Sequence, residues 1–366
     1  MKARHTIYCF LVGFMGLVSI VVCLLLFDFW LFLRLPASAD RTLREIIVRP
    51  GMNVTAVARL LHDEGIISDP RKFYYLCRYR QAGQRLKAGE YAFYAFSTPE
   101  QVLDRIVEGR VALHRVTVPE GFTVREIART LNEKGLASEA MVMRYAADPG
   151  WIRSLGIESS SLEGYLFPDT YHFSRSQGEE VMLKAMVTQF RRRLPADWEQ
   201  RSQELGMTLH EIVTLASLVE KEAIVDAERT RIAGVFFNRL GRGMPLQSDP
   251  TAVYDLENFS GPILWSHLKR ESPYNTYRNK GLPLGPICNP GSKSIQAVLH
   301  PEKVPYLYFV SNNDGTHSFS ENLQEHSRAV SRYRELRKAA ASKGESPPGG
   351  FEPSGPGTVS AVQSKP

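Results

Sequence analysis

An uncharged apolar run near the N-terminus constrains this chain more than any other feature. From Thr6 to Phe27 the sequence has 22 consecutive residues without a charged side chain. A helix of that length is about 33 Å long, enough to cross a hydrocarbon core of about 30 Å. Lys2 and Arg4 precede the run, and positive charge stays on the cytoplasmic side of a membrane. The run predicts a cytoplasmic tip and transmembrane anchor over residues 1–34, with the rest of the chain outside the cytoplasm.

A cleaved signal peptide is the alternative interpretation of this run. Ala37-Ser38-Ala39 has the small residues of a cleavage site. However, the apolar region of a signal peptide is about 7–15 residues long, and these alanines lie well beyond Phe27. An uncleaved anchor is therefore favoured, and a buried core helix is disfavoured by the length and apolarity of the run.

Composition and cysteine spacing add weaker constraints. The net charge is +6, and the basic stretch from Arg71 to Lys87 would suggest nucleic acid in a cytoplasmic protein. Outside the membrane no nucleic acid is expected, so a solvated helix face is favoured over contact with lipid headgroups or an anionic polymer. Cys77 and Cys288 are isolated, with neither CxxC nor metal-site spacing. Two packed free thiols are favoured, and a disulfide between them stays open.

An internal repeat organises residues 41–158. The stretch Val48–Val54 recurs 70 residues later as Val118–Val124, and Gly65 recurs as Gly135. Each copy has the pattern of a short strand, a glycine turn and an amphipathic helix that ends at glycine. Between the copies, a strand is predicted around residues 89–94 and a capped helix over residues 98–109. The copies resemble LysM-type modules, which bind glycans, although two packed modules without a ligand remain an alternative.

Residues 159–338 form a second block of helices followed by turn-rich segments and short strands. Helices are predicted over residues 181–193, 209–222 and 227–240, and a strand over residues 306–310. This order predicts an α+β fold with a mixed helical and short-strand catalytic domain. Residues 339–366 include a stretch rich in Pro, Gly and Ser, which predicts a disordered tail.

The helix over residues 209–222 is the most informative for chemistry. GxSxG, Walker, GxGxxG and HExxH motifs are absent from the sequence, so neither a cofactor nor a metal is expected. Projected at 100° per residue, Glu220 and Glu222 both lie in or beside an apolar arc, opposite a polar side. Apolar surroundings raise the pKa of a carboxyl group, as a general acid requires at neutral pH. Spacing does not choose between the two, and either could instead cap or pair at the helix end.

A series of motifs runs in order through this block: Leu162–Tyr171, Leu215–Glu222, Val235–Leu240, Leu246–Thr251, Ser272–Tyr277, Gly281–Ile287, Asn289–Gly291 and Tyr306–Val310, then His317 and Phe319. In this order and spacing the chain resembles the endolytic murein transglycosylases, the MltG or YceG-like family, from the anchor to about residue 336. Family members often have Thr where this sequence has Ala223. The resemblance implies that Glu222 is the catalytic acid.

The resemblance also implies the reaction. The family cleaves the β-1,4 bond between N-acetylmuramic acid and N-acetylglucosamine in peptidoglycan, and the muramoyl 6-hydroxyl attacks its own anomeric carbon to leave a 1,6-anhydro end. Because the nucleophile is tethered, one carboxyl group can replace the two that water-using glycosidases need. Such an enzyme would terminate or trim nascent glycan strands.

The remaining motif residues are polar or aromatic, as a saccharide cleft requires. The candidates for substrate binding are Asn238, Gln247, Ser248, Tyr254, Tyr274, Asn275, Thr276 and Tyr277. Glu163, Asp169 and Glu220 are candidates for supporting groups behind the cleft. Several of these lie beside proline or turn residues, so they could instead only fix loops.

The expected partners are peptidoglycan strands and, through one helix, the lipid bilayer. The resemblance adds peptidoglycan synthases as an expectation and places the chain in the inner membrane, with its catalytic domain in the periplasm. A non-enzymatic murein-binding adaptor of cell-wall assembly remains the main alternative. A lyase of a small cytoplasmic metabolite, the aminodeoxychorismate lyase suggested by an old family label, conflicts with the outward anchor.

Overall fold

The computed structural model describes residues 2–312 and 314–342. They divide into two compact units. The N-terminal unit contains the chain up to Arg115 together with His172–Gly178, and the C-terminal unit contains Val116–Tyr171 and the chain from Glu179 onward.

The N-terminal unit begins with the long helix α1 (Lys2–Arg34). Within its segment Phe10–Arg34, an 18-residue window has a mean hydropathy of 2.9 and no buried residue, so the length and composition of the helix suit a membrane span. The predicted apolar helix is therefore present, while its orientation in a membrane stays a prediction. At its end, Phe32 enters the core of the unit, and Asp28 pairs with Lys72 at 2.7 Å.

The first copy of the repeat and the segment after it form two paired antiparallel strands, with two helices between them along the chain. The elements are β1 (Leu43–Val48), α2 (Val54–Asp63), α3 (Pro70–Tyr79) and β2 (Gly89–Tyr94), followed by α4 (Pro99–Glu108). Leu43 pairs with Tyr94 and Val48 with Gly89. The N-cap of α4 is Thr98, with a capping box, and Gly109 ends the helix in the left-handed region. The capped helix predicted over residues 98–109 is confirmed.

The second copy repeats the strand, turn and helix of the first. Its elements are β3 (His114–Thr117), α5 (Val124–Glu133), α6 (Glu139–Ala146), α7 (Pro149–Ser154) and β4 (Thr170–Phe173). Gly51 and Gly121 make the turn before each helix with φ of +83° and +78°, which explains why glycine recurs there. The resemblance to LysM-type modules stays a prediction.

The compact units divide the chain between the two copies, whereas the sequence groups both copies in residues 41–158. The second copy lies in the C-terminal unit because local contacts tie it to the catalytic block. The Val118 N–H donates to the carbonyl of Asp169 at 2.9 Å, and the Val124 N–H donates to the Glu163 carboxylate at 3.0 Å. These hydrogen bonds hold the first turn of α5 against the catalytic block.

Helices and two short strands make up the rest of the C-terminal unit. They are α8 (Glu179–Arg193), α9 (Trp198–Leu205), α10 (Leu209–Glu222), α11 (Arg229–Gly241), α12 (Trp265–Leu268), α13 (Ser292–Leu299), β5 (Tyr308–Ser311), β6 (His317–Ser320) and α14 (Leu323–Ser342). Strands β5 and β6 pair antiparallel. The chain is thus a mixed helix and strand protein, as predicted. Helix α14 continues past the predicted domain end at residue 338, and residues 343–366 of the predicted tail lie outside the described residues.

Helix α10 is enclosed by α11 and α13 and is buried over most of its length. The predicted polar side is only partly a solvent face, because Thr214 and Ser217 are almost completely buried whereas Lys221 is exposed. The Ser217 hydroxyl donates to the carbonyl of Thr214 at 2.7 Å and accepts from the Ile287 N–H at 3.0 Å. Buried hydroxyl groups of this kind need partners, and α10 finds them in its own backbone and the 285–291 loop.

Candidate active site

The carboxyl group of Glu222 stands at the end of α10. A capping box at Thr208 begins the helix, and Ala223, with extended backbone, ends it. The Ser248 hydroxyl donates to Oε1 of Glu222 at 2.6 Å. Burial, followed by the charge of Asp249, raises the pKa of Glu222 to about 7, against the hydrogen bond from Ser248. A carboxyl group with this pKa can hold and release a proton near neutral pH.

Asp249 is a second carboxyl group beside Glu222, and it was not among the residues predicted from the sequence. Burial raises its pKa to about 6, and the Tyr277 hydroxyl donates a hydrogen bond to it. Its place in the Leu246–Thr251 motif was the available indication. Burial thus raises the pKa of both carboxyl groups, and the charge of Asp249 raises that of Glu222 further.

The loop that carries these groups has an unusual backbone. Gln247 has φ of +52°, a left-handed conformation that costs a residue with a Cβ atom free energy. Thr276 holds the loop, because its carbonyl accepts from the Gln247 N–H at 3.2 Å and its hydroxyl accepts from the Ser248 N–H at 2.9 Å. Thr276 and Thr251 also share a hydrogen bond of 2.8 Å between their hydroxyl groups. Together they aim the Ser248 side chain at Glu222.

Arg239 fixes the same loop from α11 and was also missed by sequence reasoning. It is buried, and its guanidinium donates to the carbonyls of Leu307 at 2.7 Å and Leu246 at 2.9 Å, and to the Gln247 side chain at 3.3 Å. Its positive charge lowers the pKa of Glu222, which partly offsets the effect of burial. Its place in the Val235–Leu240 motif was the available indication.

Glu222 lines a cleft of about 1240 Å³ in the C-terminal unit. Of the predicted site residues, Glu163, Gln247, Tyr254 and Tyr274 line the same cleft. The rings of Tyr254 and Tyr274 lie with centroids 4.7 Å apart. Aromatic rings together with a few polar groups are typical of ligand-binding clefts.

Glu163 links the cleft to the second copy of the repeat. Its carboxyl group accepts from the Val124 N–H at 3.0 Å, from the Asn289 amide at 3.0 Å and from the Tyr254 hydroxyl at 2.8 Å. Burial raises its pKa to about 7, although the hydrogen bonds from Tyr254 and Val124 oppose the shift. Glu163 therefore positions Tyr254 and the start of α5.

Other predicted site residues hold the scaffold in this structure. The Asn238 amide donates to the carbonyls of Val304 and Tyr306, at 2.7 and 2.9 Å. The Asn275 amide donates to the carbonyls of Leu268 and Arg270, at 3.1 and 2.7 Å. Both side chains fix loops, which was the alternative role considered for residues beside turns.

The structure separates the two glutamates of α10. Glu220 pairs with Arg229 at 3.1 Å and accepts from the Gly291 N–H at 2.9 Å, so it has the ion-pair role that the sequence left open for either residue. Asp169 accepts from Gln189 at 2.7 Å and lies 3.2 Å from Arg193. Neither Glu220 nor Asp169 lines the cleft. Among the described residues, no group of three or more His, Cys, Asp or Glu side chains could hold a metal ion.

Similarity to known proteins extends over most of the chain. The sequence profile of the YceG-like family matches residues 46–332. The chain belongs to the YceG-like family. This confirms the resemblance read from the ordered motifs, and it covers the second copy of the repeat as well as the cleft.

Two relatives of this YceG-like protein are named endolytic murein transglycosylase. The protein from Bacillus subtilis (strain 168) is 33% identical over 315 residues, which cover 81% of this chain and 87% of that protein. The protein from Streptococcus pneumoniae serotype 2 is 30% identical, and the match covers 77% of this chain but only 57% of that longer protein. The crystal structure of a YceG-like protein from Listeria monocytogenes is 31% identical, with a TM-score of 0.55, and the match covers 78% of this chain and 98% of that one.

Proposed function

We propose that this YceG-like protein is an endolytic lytic transglycosylase that cleaves the β-1,4 bond between N-acetylmuramic acid and N-acetylglucosamine in peptidoglycan strands. The names of its relatives support the class of enzyme and the substrate. The observation that carries the proposal is Glu222 in the cleft, with its pKa raised to about 7.

In the proposed mechanism Glu222 acts first as an acid. Its protonated carboxyl group gives a proton to the glycosidic oxygen, and the bond from that oxygen to the anomeric carbon breaks. The muramoyl 6-hydroxyl then forms a new bond to the anomeric carbon, and its proton passes to the Glu222 carboxylate. The products are a strand with a free 4-hydroxyl and a strand with a 1,6-anhydro end, and Glu222 is protonated again.

One catalytic carboxyl group is sufficient in this scheme because no water molecule is activated. Attack by a group already attached to the same sugar has a high effective molarity. Glycosidases that use water need a second carboxyl group as base or nucleophile. Asp249 instead acts through Glu222, since its charge raises the pKa of the acid.

The proposal also includes the setting of the enzyme. Helix α1 would cross the inner membrane once with its N-terminus in the cytoplasm, so that the cleft faces the periplasm, where murein lies. The two copies of the repeat would serve as LysM-like modules that bind glycan. Cleavage close to the membrane would terminate or trim nascent strands.

Digestion of murein by the full-length protein in detergent tests the activity. Mass spectrometry of the products should find 1,6-anhydromuramoyl ends, and Glu222→Gln should abolish them. Glu133→Gln is a matched control, because Glu133 is an exposed residue at the end of α5. Absence of anhydro ends with the unaltered protein would refute the activity, and normal activity of Glu222→Gln would refute the assigned acid.

A murein-binding adaptor is the second candidate, because the repeat could bind glycan without any cleavage. It predicts that the protein sediments with insoluble murein and that no new ends form, even after prolonged incubation. Formation of new strand ends therefore distinguishes the enzyme from the adaptor.

A further inference from the structure

We propose that a set of basic side chains in the cleft binds the carboxylates of the peptides that a murein strand carries. The set, called here the basic wall, consists of Arg125 and Arg129 on α5 and Lys221 on α10, all of which line the cleft with Glu222. This inference rests on the proposed function and names the form of the substrate: strands with peptides rather than bare glycan.

The basic wall is one patch next to the catalytic acid. Arg125 and Arg129 are four residues apart on α5, so their side chains share a helix face. Lys221 immediately precedes Glu222, and its Nζ lies 4.0 Å from the position that a Cβ atom on Gly121 would occupy. Gly121 belongs to the turn that leads into α5, so Lys221 lies close to the start of the helix that carries the two arginines.

The charges around the cleft leave the wall available to a ligand. Six acidic side chains also line the cleft: Glu126, Glu163, Asp249, Asp255, Glu257 and Asp314. All but Glu257 accept a hydrogen bond from another group, and Glu257 has only a long contact with Arg125. By contrast, Arg129 and Lys221 form neither an ion pair nor a side-chain hydrogen bond with any described residue. Arg125 has one exposed contact, at 3.7 Å from Glu257. Among the charged side chains that line the cleft, Arg129 and Lys221 are therefore the ones without a partner among the described residues.

Murein presents a matching group. The N-acetylated sugars of the strand are neutral, whereas the peptide on the lactyl group of each muramoyl residue bears free carboxylates. Arginine binds carboxylates with two parallel hydrogen bonds, and lysine adds a mobile charge. A volume of 1240 Å³ also exceeds that of typical small-molecule sites, which leaves room beside the sugars for a peptide.

Binding measurements in an inactive protein test the wall independently of cleavage. Full-length Glu222→Gln is titrated by calorimetry with uncross-linked strands that carry peptides and with the same strands after an amidase has removed them. The peptide-bearing strands should bind more tightly. Adding Arg129→Ala or Lys221→Ala should reduce this preference about fivefold each, as expected for partly exposed ion pairs, with little change for bare strands.

Arg192→Ala provides the control, because Arg192 is an exposed arginine on α8 that does not line the cleft. The proposal is overturned if the preference is unchanged in the wall variants, or if they weaken binding of both kinds of strand equally. Arg129→Lys should retain part of the preference that Arg129→Ala loses, which a merely structural role would not require. Failure of the unaltered protein to form anhydro ends would refute the proposed activity. The binding results would still test the basic wall.

Discussion

Two substitutions next to Glu222 should shift the pH dependence of cleavage in opposite directions. Glu222 must be protonated to act as an acid, so the rate falls as the pH rises through its pKa. The Ser248 hydroxyl stabilises the charged carboxylate through a hydrogen bond of 2.6 Å, and this lowers the pKa. The charge of Asp249 disfavours the carboxylate, and this raises the pKa.

The size of each shift follows from these interactions. A hydrogen bond to a charged group contributes about 1.5 kcal/mol, and about 1.4 kcal/mol corresponds to one pH unit. Ser248→Ala should therefore move the alkaline limb from about pH 7 to about pH 8. Asp249→Asn, which removes a nearby negative charge, should move it down by about one pH unit.

The assay is kcat/KM for release of anhydro ends between about pH 5 and pH 9, because this ratio reports the free enzyme. Ser266→Ala is a matched control, since Ser266 is exposed on α12 and does not line the cleft. If both variants shift the limb in the same direction, or if neither shifts it while Glu222 remains essential, the electrostatic account of this acid is wrong.

Three further predictions concern stability. Glu222→Gln should raise the free energy of unfolding by about 2–3 kcal/mol at pH 8 and have little effect at pH 4. The reason is that the pKa of Glu222 is about 7 in the folded protein against an ordinary value of 4.5, so ionisation disfavours the folded state as the pH rises between these values. Urea unfolding at both pH values tests this. Glu163→Ala leaves buried donors on Val124, Asn289 and Tyr254 unsatisfied and should lower the free energy of unfolding by about 3 kcal/mol at pH 4. The loss should be smaller at pH 8, because the raised pKa of Glu163 itself disfavours the folded state there. The lysine side chain in Arg239→Lys cannot reach the carbonyls of Leu246 and Leu307 together, so this variant should lower both Tm and kcat. An unchanged kcat would contradict the role of Arg239 in fixing the loop.

Local features of the sequence determined much of the secondary structure. The uncharged run predicts a helix, and α1 covers it. The repeat predicts that two helices begin 70 residues apart, and α2 and α5 begin at Val54 and Val124. The sequence pattern predicts a helix over residues 209–222, and α10 has these bounds. These features depend on residues within a few positions of each other, so a single sequence contains the information.

The chemistry of the site depended on contacts between distant parts of the chain. Glu220 and Glu222 have similar surroundings on a helix projection. Only the tertiary structure shows that Glu220 forms an ion pair with Arg229 and that Glu222 accepts a hydrogen bond from Ser248. The roles of Asp249 and Arg239 likewise follow from loops brought together in space. A carboxyl group's pKa depends on the burial and charges around it, and these are set by packing across the fold. The sequence thus determined the helix that carries the acid, and the tertiary structure decided which carboxyl group faces the cleft.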